Sequence, residues 1–126
     1  MLKLHHIDIW INNVDESIKF YQCLGFVKIK EINNEEENKK IILMKLDNFI
    51  LEMKYHYKGQ CVHNDFKCKD NKVFGLSTKD INKIKKHIED ENLTREKIII
   101  QKGILGQSYF IIHDPNGISI EFIEEK

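Results

Sequence analysis

The chain has 126 residues, 41% hydrophobic and 32% charged, with 20 Lys+Arg balanced by 20 Asp+Glu, a length suited to one compact core and short for two ordinary domains. A zero balance sets aside the cationic surplus with which nucleic-acid binders displace counterions and the basic face of a membrane-surface protein. No apolar run approaches the length of a membrane span and the apolar fraction is too high for a disordered chain, so a soluble globular domain with a small-molecule partner is expected.

The first residues run straight into alternating apolar positions without the blocks of a secretory signal, which makes a cytoplasmic location the expectation. Ile7, Ile9 and Ile11 alternate with His6, Asp8 and Trp10, the pattern of a strand with two different faces. His5 is expected on the opposite side to His6, at the surface or edge. Asn13 and Glu16 mark a helix start, Val14, Ile18, Tyr21 and Leu24 recur at helical spacing, and Gly25 supplies a left-handed stop. Residues 27–32, 40–46 and 49–55 read as strands, with a solvated hairpin connection in the polar stretch 31–38 and a tight turn at Asp47-Asn48.

Residues 57–71 are polar, contain Gly59 and show no period, so they read as a connector. Cys61, His63 and Cys68 fall in it, but their spacing matches no zinc pattern and lacks a fourth ligand. The three cysteines of the chain suit reduced thiols. The order of elements then returns. Residues 73–78 predict a strand, Asp80 a helix start, Ile81, Ile84 and Ile88 one helix face, and residues 97–101, 109–113 and 118–123 three further strands. Lys83, Lys85, Lys86, Glu89, Asp90 and Glu91 form the wet side of that helix. Gly103 and Gly106 punctuate one connection, and Asp114-Pro115-Asn116-Gly117 is a turn.

Two copies of a βαβββ unit account for this order. Val14 and Ile81, Tyr21 and Ile88, and the helix starts Asn13 and Asp80 all stand 67 residues apart, an offset that pairs His6 with Val73. Glu52 and Glu121, each following an apolar pair, stand 69 apart, and the longer 114–117 turn accommodates the difference.

The runs His6-Ile7-Asp8-Ile9-Trp10-Ile11, Ser17-Ile18-Lys19-Phe20-Tyr21, Leu24-Gly25-Phe26, Leu51-Glu52-Met53 and His113-Asp114-Pro115-Asn116-Gly117-Ile118-Ser119-Ile120-Glu121 together resemble the vicinal oxygen chelate superfamily. That superfamily includes glyoxalase I, methylmalonyl-CoA epimerase, extradiol dioxygenases, fosfomycin-resistance enzymes and bleomycin-resistance proteins. The resemblance covers essentially the whole chain. It implies an α+β, glyoxalase-like fold: two tandem βαβββ modules forming a curved, barrel-like mixed sheet with outer helices. One domain over 1–126 is expected, with module one at 1–56, the connector at 57–71 and module two at 72–126.

The resemblance also implies a divalent metal held by the first and fourth strands of each module, at His6, Glu52, Val73 and Glu121. An imidazole and two carboxylates suit Ni, Zn, Mn or Fe, whereas Val73 offers no ligand, so the implied site is incomplete. Glu121 is the implied catalytic base, with His6, Glu52 and Glu121 as metal ligands and Asp8, Trp10, Lys54, Ser77 and Ser119 as substrate-binding residues. Bringing carboxylates together in a cavity is costly unless a metal, a proton or a cationic ligand compensates.

Two functions therefore compete. One is a metal-dependent lyase or isomerase, moving a proton through an enediolate on a small α-oxygenated carbonyl compound, which His6, Glu52 and Glu121 favour. The other is a metal-free small-molecule-binding protein resembling bleomycin-resistance proteins, which Val73 favours. Plainer readings stand beside both: His6 as an ordinary hydrogen-bonded side chain, Glu52 and Glu121 as solvated acids in an open groove, Trp10 as core filling. The resemblance further implies a homodimer.

Overall fold

The computed structural model describes residues 1–58 and 72–125, with side chains from residue 74 onward in the second stretch. Cys61, His63, Cys68 and most of the expected connector lie outside the described residues. The chain divides into two compact units, Met1–Lys67 and Cys68–Lys126, and each carries one βαβββ module.

The first module runs β1 (Ile7–Ile11), α1 (Val14–Cys23), β2 (Val27–Asn34), β3 (Lys39–Leu46) and β4 (Phe49–His56). Its sheet is four-stranded and mixed, ordered β1-β4-β3-β2, with β1 parallel to β4 and the remaining pairs antiparallel. Helix α1 starts where Asn13 accepts a hydrogen bond at its side chain from the Glu16 N–H, 2.9 Å away, satisfying one of the open N-terminal donors. It ends in a Schellman arrangement: Gly25 N–H donates to Gln22 O and Phe26 N–H to Tyr21 O, both at 3.0 Å, with Gly25 at φ +104°. The rings of Tyr21 and Phe26 meet edge to face across this stop at 5.3 Å, the apolar contact that accompanies such ends.

The second module runs β5 (Lys72–Thr78), α2 (Ile81–Asp90), β6 (Gln101–Lys102), β7 (Ser108–His113) and β8 (Ser119–Glu124). Its sheet repeats the order as β5-β8-β7-β6, again with the first and last strands parallel. Asp80 caps α2 by accepting from the Lys83 N–H at 3.0 Å, and Asn92, at φ +54°, takes the left-handed position that Gly25 takes in the first module. The 67-residue offset thus holds for both ends of the helices.

Alternation fixes the two faces of each sheet. In the first module Ile9, Ile11, Ile42, Met44, Leu51 and Met53 are buried with Phe20, Tyr21 and Phe26, which leaves Asp8, Trp10, Glu52 and Lys54 on the other face. In the second module Phe110, Ile112, Ile120 and Phe122 are buried with Ile81 and Ile88, which leaves Gly75, Ser77, Ile111 and Glu121 opposite. Burying one large apolar side chain contributes about 1.5–3 kcal/mol, so a one-residue slip of either sheet would forfeit most of a core.

Three details differ from the sequence-based reading. The run 97–101 is not a strand along its length: β6 is confined to Gln101–Lys102, because Ile98 is buried while residues 97–100 make no ladder. Strand β2 continues through Asn34, so the hairpin connection shrinks to residues 35–38, closed by Asn38 at φ +55°. On α1 the buried line is Ser17, Phe20 and Tyr21, with Val14, Ile18 and Leu24 half-buried at its flank.

Asp114, only 5% exposed, organises the turn before β8. Its Oδ1 accepts from the backbone N–H of Asn116 and of Ile118, each at 2.8 Å, and its Oδ2 from the Asn116 side-chain amide at 3.1 Å. Gly117, at φ +86°, completes the turn.

Candidate functional site

Parallel pairing of β1 with β4 sets Asp8 opposite Glu52 and Trp10 opposite Lys54, while His6 stands one residue before β1. His6 Nε2 lies 3.0 Å from Asp8 Oδ1 and 3.8 Å from Glu52 Oε1. Lys54 Nζ lies 2.9 Å from Asp8 Oδ2 and 3.7 Å from Glu52 Oε2, and 5.9 Å from the centre of the Trp10 ring. The side chains of Glu52 and Lys54 are about four-fifths shielded, whereas Asp8 is 42% exposed.

The compensating charge that such a cluster needs comes from within the chain, on Lys54. Burial alone would raise the Asp8 carboxyl, but the hydrogen bond and charge of Lys54, helped by His6, hold it below the ordinary carboxylate value. The hydrogen bond to Asp8, reinforced by the charges of Asp8 and Glu52, holds the Lys54 ammonium above its ordinary value despite partial burial. Apart from His6, two carboxylates and one ammonium leave one negative charge on this face.

His5 is exposed, as expected of a surface residue, but it is not turned away from His6. Its Nδ1 lies 2.7 Å from His6 Nδ1, with the rings edge to face at 4.9 Å. Both residues precede β1, so strand alternation does not govern their directions. His6 is therefore held at both ring nitrogens.

The donor set suits a divalent cation in chemistry, with a spacing that the side chains would have to tighten to hold one. One donor atom from each of His6, Asp8 and Glu52 lies within 4.8 Å of the others, and neighbouring donors on an octahedral shell with bonds of ~2.1 Å stand ~3.0 Å apart. A metal there would act as a Lewis acid on a bound oxygen. Asp8 fills out this group inside the first module, in addition to the His6 and Glu52 that the sequence singles out.

The remaining expected site residues belong to the second module. Glu121 pairs with Gly75 on one side and Ile111 on the other. The positions equivalent to Asp8, Trp10 and Lys54 are Gly75, Ser77 and Ile123, so among the described residues of the second module the ion-paired cluster has no counterpart. A Cβ placed on Gly75 would meet Glu121 Oε2 at 3.7 Å. Ser77 donates its hydroxyl to Glu125 at 2.9 Å, and Ser119 is buried at the start of β8. Val73 sits at a register shift between Lys72 and Phe74 on β5.

Sequence reasoning placed Lys54 among ligand contacts and missed its role as counterion. Alternation puts Lys54 on the Glu52 face of β4, but the pairing with Asp8 arises only from the register of β1 with β4.

These modules and their offsets define a recognised class. The family profile for the Glyoxalase/Bleomycin resistance protein/Dioxygenase superfamily matches residues 3–122, and the chain belongs to that superfamily. Among solved structures it is similar to a glyoxalase family protein from Enterococcus faecalis, at 19% identity and a TM-score of 0.79 over 97% of each chain. It is also similar to the trypanothione-dependent glyoxalase I of Leishmania major, at 19% identity and a TM-score of 0.73 over 99% of this chain and 88% of that one. A bleomycin-binding protein, solved with bleomycin, matches at 13% identity and a TM-score of 0.71 over 99% of this chain and all of that one. At these identities the likeness establishes the fold alone. No curated protein matches in sequence.

Proposed function

We propose that this chain is a small-molecule-binding member of its superfamily, one that takes its ligand on the β1–β4 face of the first module without a metal. The observation that carries the reading is the 2.9 Å pair between Lys54 and Asp8, with the same ammonium 3.7 Å from Glu52, so a cation of the chain's own already faces both carboxylates. Trp10, half-buried beside Lys54, offers an aromatic surface of the kind that holds flat organic molecules. The bleomycin-binding neighbour supports the same direction at the level of fold. In this reading the chain works as one domain, in the cytoplasm and as a homodimer, with a small molecule as its partner.

Trp10 is the single tryptophan of the chain, so its fluorescence reports the proposed site directly. Titration with bleomycin and a panel of flat aromatic compounds is expected to find a ligand that quenches Trp10, and Lys54→Met to weaken that binding. A purified protein that carries stoichiometric metal lost on His6→Ala would overturn the reading.

The spacing of His6, Asp8 and Glu52 favours a second reading, a metal-dependent lyase or isomerase acting on a small α-oxygenated carbonyl compound. In it His6 and Glu52 hold Ni, Zn, Mn or Fe, and Glu121 moves the proton. It predicts turnover of a hemithioacetal that Glu121→Gln abolishes without unfolding the chain.

A further inference from the structure

A divalent cation approaching His6 Nε2 would need oxygen donors from Asp8 and Glu52, and each of those carboxylates already faces Lys54, at 2.9 Å and 3.7 Å. The Lys54 stem rises from β4 beside Trp10, with the ammonium 5.9 Å from the ring centre. Its side chain is four-fifths shielded, so the ammonium is held at the carboxylates and does not trail in solvent. His6 Nε2 faces Asp8 and Glu52 while its Nδ1 meets His5 at 2.7 Å, so the ring already stands beside both carboxylates and would ligate on releasing the Nε2 proton that a 3.0 Å approach to Asp8 requires. The donor residues are gathered, and beyond the exchangeable His6 proton what opposes a metal is the fixed positive charge of Lys54.

We propose that Lys54 is the residue that bars divalent metal from the His6–Asp8–Glu52 cluster, and that removing its charge converts the first module into a metal-binding site contained within that module. This rests on the reading of Lys54 as the cation standing in for a metal. It goes further in assigning metal selectivity to one side chain and in making Asp8, which lies between His6 and Lys54, a ligand of the uncovered site. An ammonium about 4 Å from a dication at solvent-like screening weakens binding roughly 30-fold, and Lys54 also competes directly for both carboxylates. Lys54→Met keeps the length and apolar stem of the side chain while deleting the charge. Lys54→Arg keeps the charge.

The test is calorimetric titration of the full chain with NiCl2 and MnCl2, in wild type, Lys54→Met, Lys54→Gln and Lys54→Arg, with thermal melts checking that each variant is folded. Binding by Lys54→Met at least roughly 30-fold tighter than by wild type is expected, with Lys54→Arg remaining like wild type. The gain should vanish when His6→Ala or Asp8→Asn is added. Cobalt(II) bound to Lys54→Met should show a visible absorption band that His6→Ala removes. Lys54→Gln supplies the same comparison if Lys54→Met is poorly folded. Wild type and both neutral variants all failing to bind would overturn this inference and leave the metal-free reading standing. A gain that ignores His6 and Asp8 would also overturn it. Tight, stoichiometric metal on wild type would overturn both.

Discussion

The Asp8–Lys54 pair can be weighed by a double-mutant cycle with Asp8→Asn, Lys54→Met and the double variant. The 2.9 Å separation lies within the range of a charge-assisted hydrogen bond. Asp8 is 42% exposed and Lys54 21%, so water screens the attraction and a coupling of about 0.5–1 kcal/mol is expected, at the upper end of surface pairs. Its pH dependence follows from the two shifts. Asp8 is lowered, since Lys54 and His6 outweigh the effect of burial, so its contribution is present above the unfolded carboxylate value and is lost as pH falls through the folded one. Lys54 is raised, chiefly by its hydrogen bond to Asp8, so its contribution is present below the unfolded ammonium value and is lost as pH rises through the folded one. The coupling should form a plateau across roughly pH 5–10 and shrink in molar salt. Urea unfolding of the four proteins at neutral pH, at acid pH and in high salt measures it. A coupling indistinguishable from zero at neutral pH, or one unchanged in acid, would refute the assignment of Lys54 as counterion.

Asp114→Ala removes three hydrogen bonds at a buried carboxylate and is expected to cost about 3 kcal/mol, read as a lower denaturant midpoint; Asp114→Asn should cost less. Gly25→Ala places a Cβ at φ +104° and 3.4 Å from Leu46 Cδ1, so thermal melts should show a loss of about 1–2 kcal/mol. Gly75→Ala meets only ordinary contacts near Glu121 and should be neutral or stabilising by up to about 1 kcal/mol. Gly75→Asp should instead destabilise at neutral pH, with part of the loss recovered in acid as the new carboxyl and Glu121 become protonated; a Gly75→Asp protein as stable as Gly75→Ala across that range would contradict the placement of Glu121.

Much of the fold was legible because it is set by local chemistry. Asn13 and Asp80 announce their helices by cap geometry, Gly25 and the 114–117 turn by backbone conformation, and the alternations in β1, β4 and β8 by burial. The internal offset was legible too, and the strand registers agree with it: Asp8 pairs with Glu52 as Gly75 pairs with Glu121. The stretch 97–101 misled because a run of isoleucines marks burial as readily as pairing, and only Ile98 is buried. Lys54 was harder. Residues 46 apart meet only through the parallel register of β1 and β4, and nothing local to either residue announces the charge pair. The same holds for His5, whose direction lies outside the strand that would have governed it.

Strand β2 closes one edge of the first sheet, and almost every residue along it is exposed, Val27, Ile29 and Ile32 included. An unpaired edge with apolar side chains is a template for another chain to extend. Here the Lys28 and Lys30 side chains alternate with the apolar ones, and the register shifts between those two lysines, which spoils a straight ladder of donors and acceptors. A chain whose charges sum to zero has little long-range repulsion between molecules near neutral pH. That irregularity and the two lysines, one of them paired with Glu31, are then what discourages edge-to-edge association, and replacing Lys28 and Lys30 with neutral residues is expected to promote it.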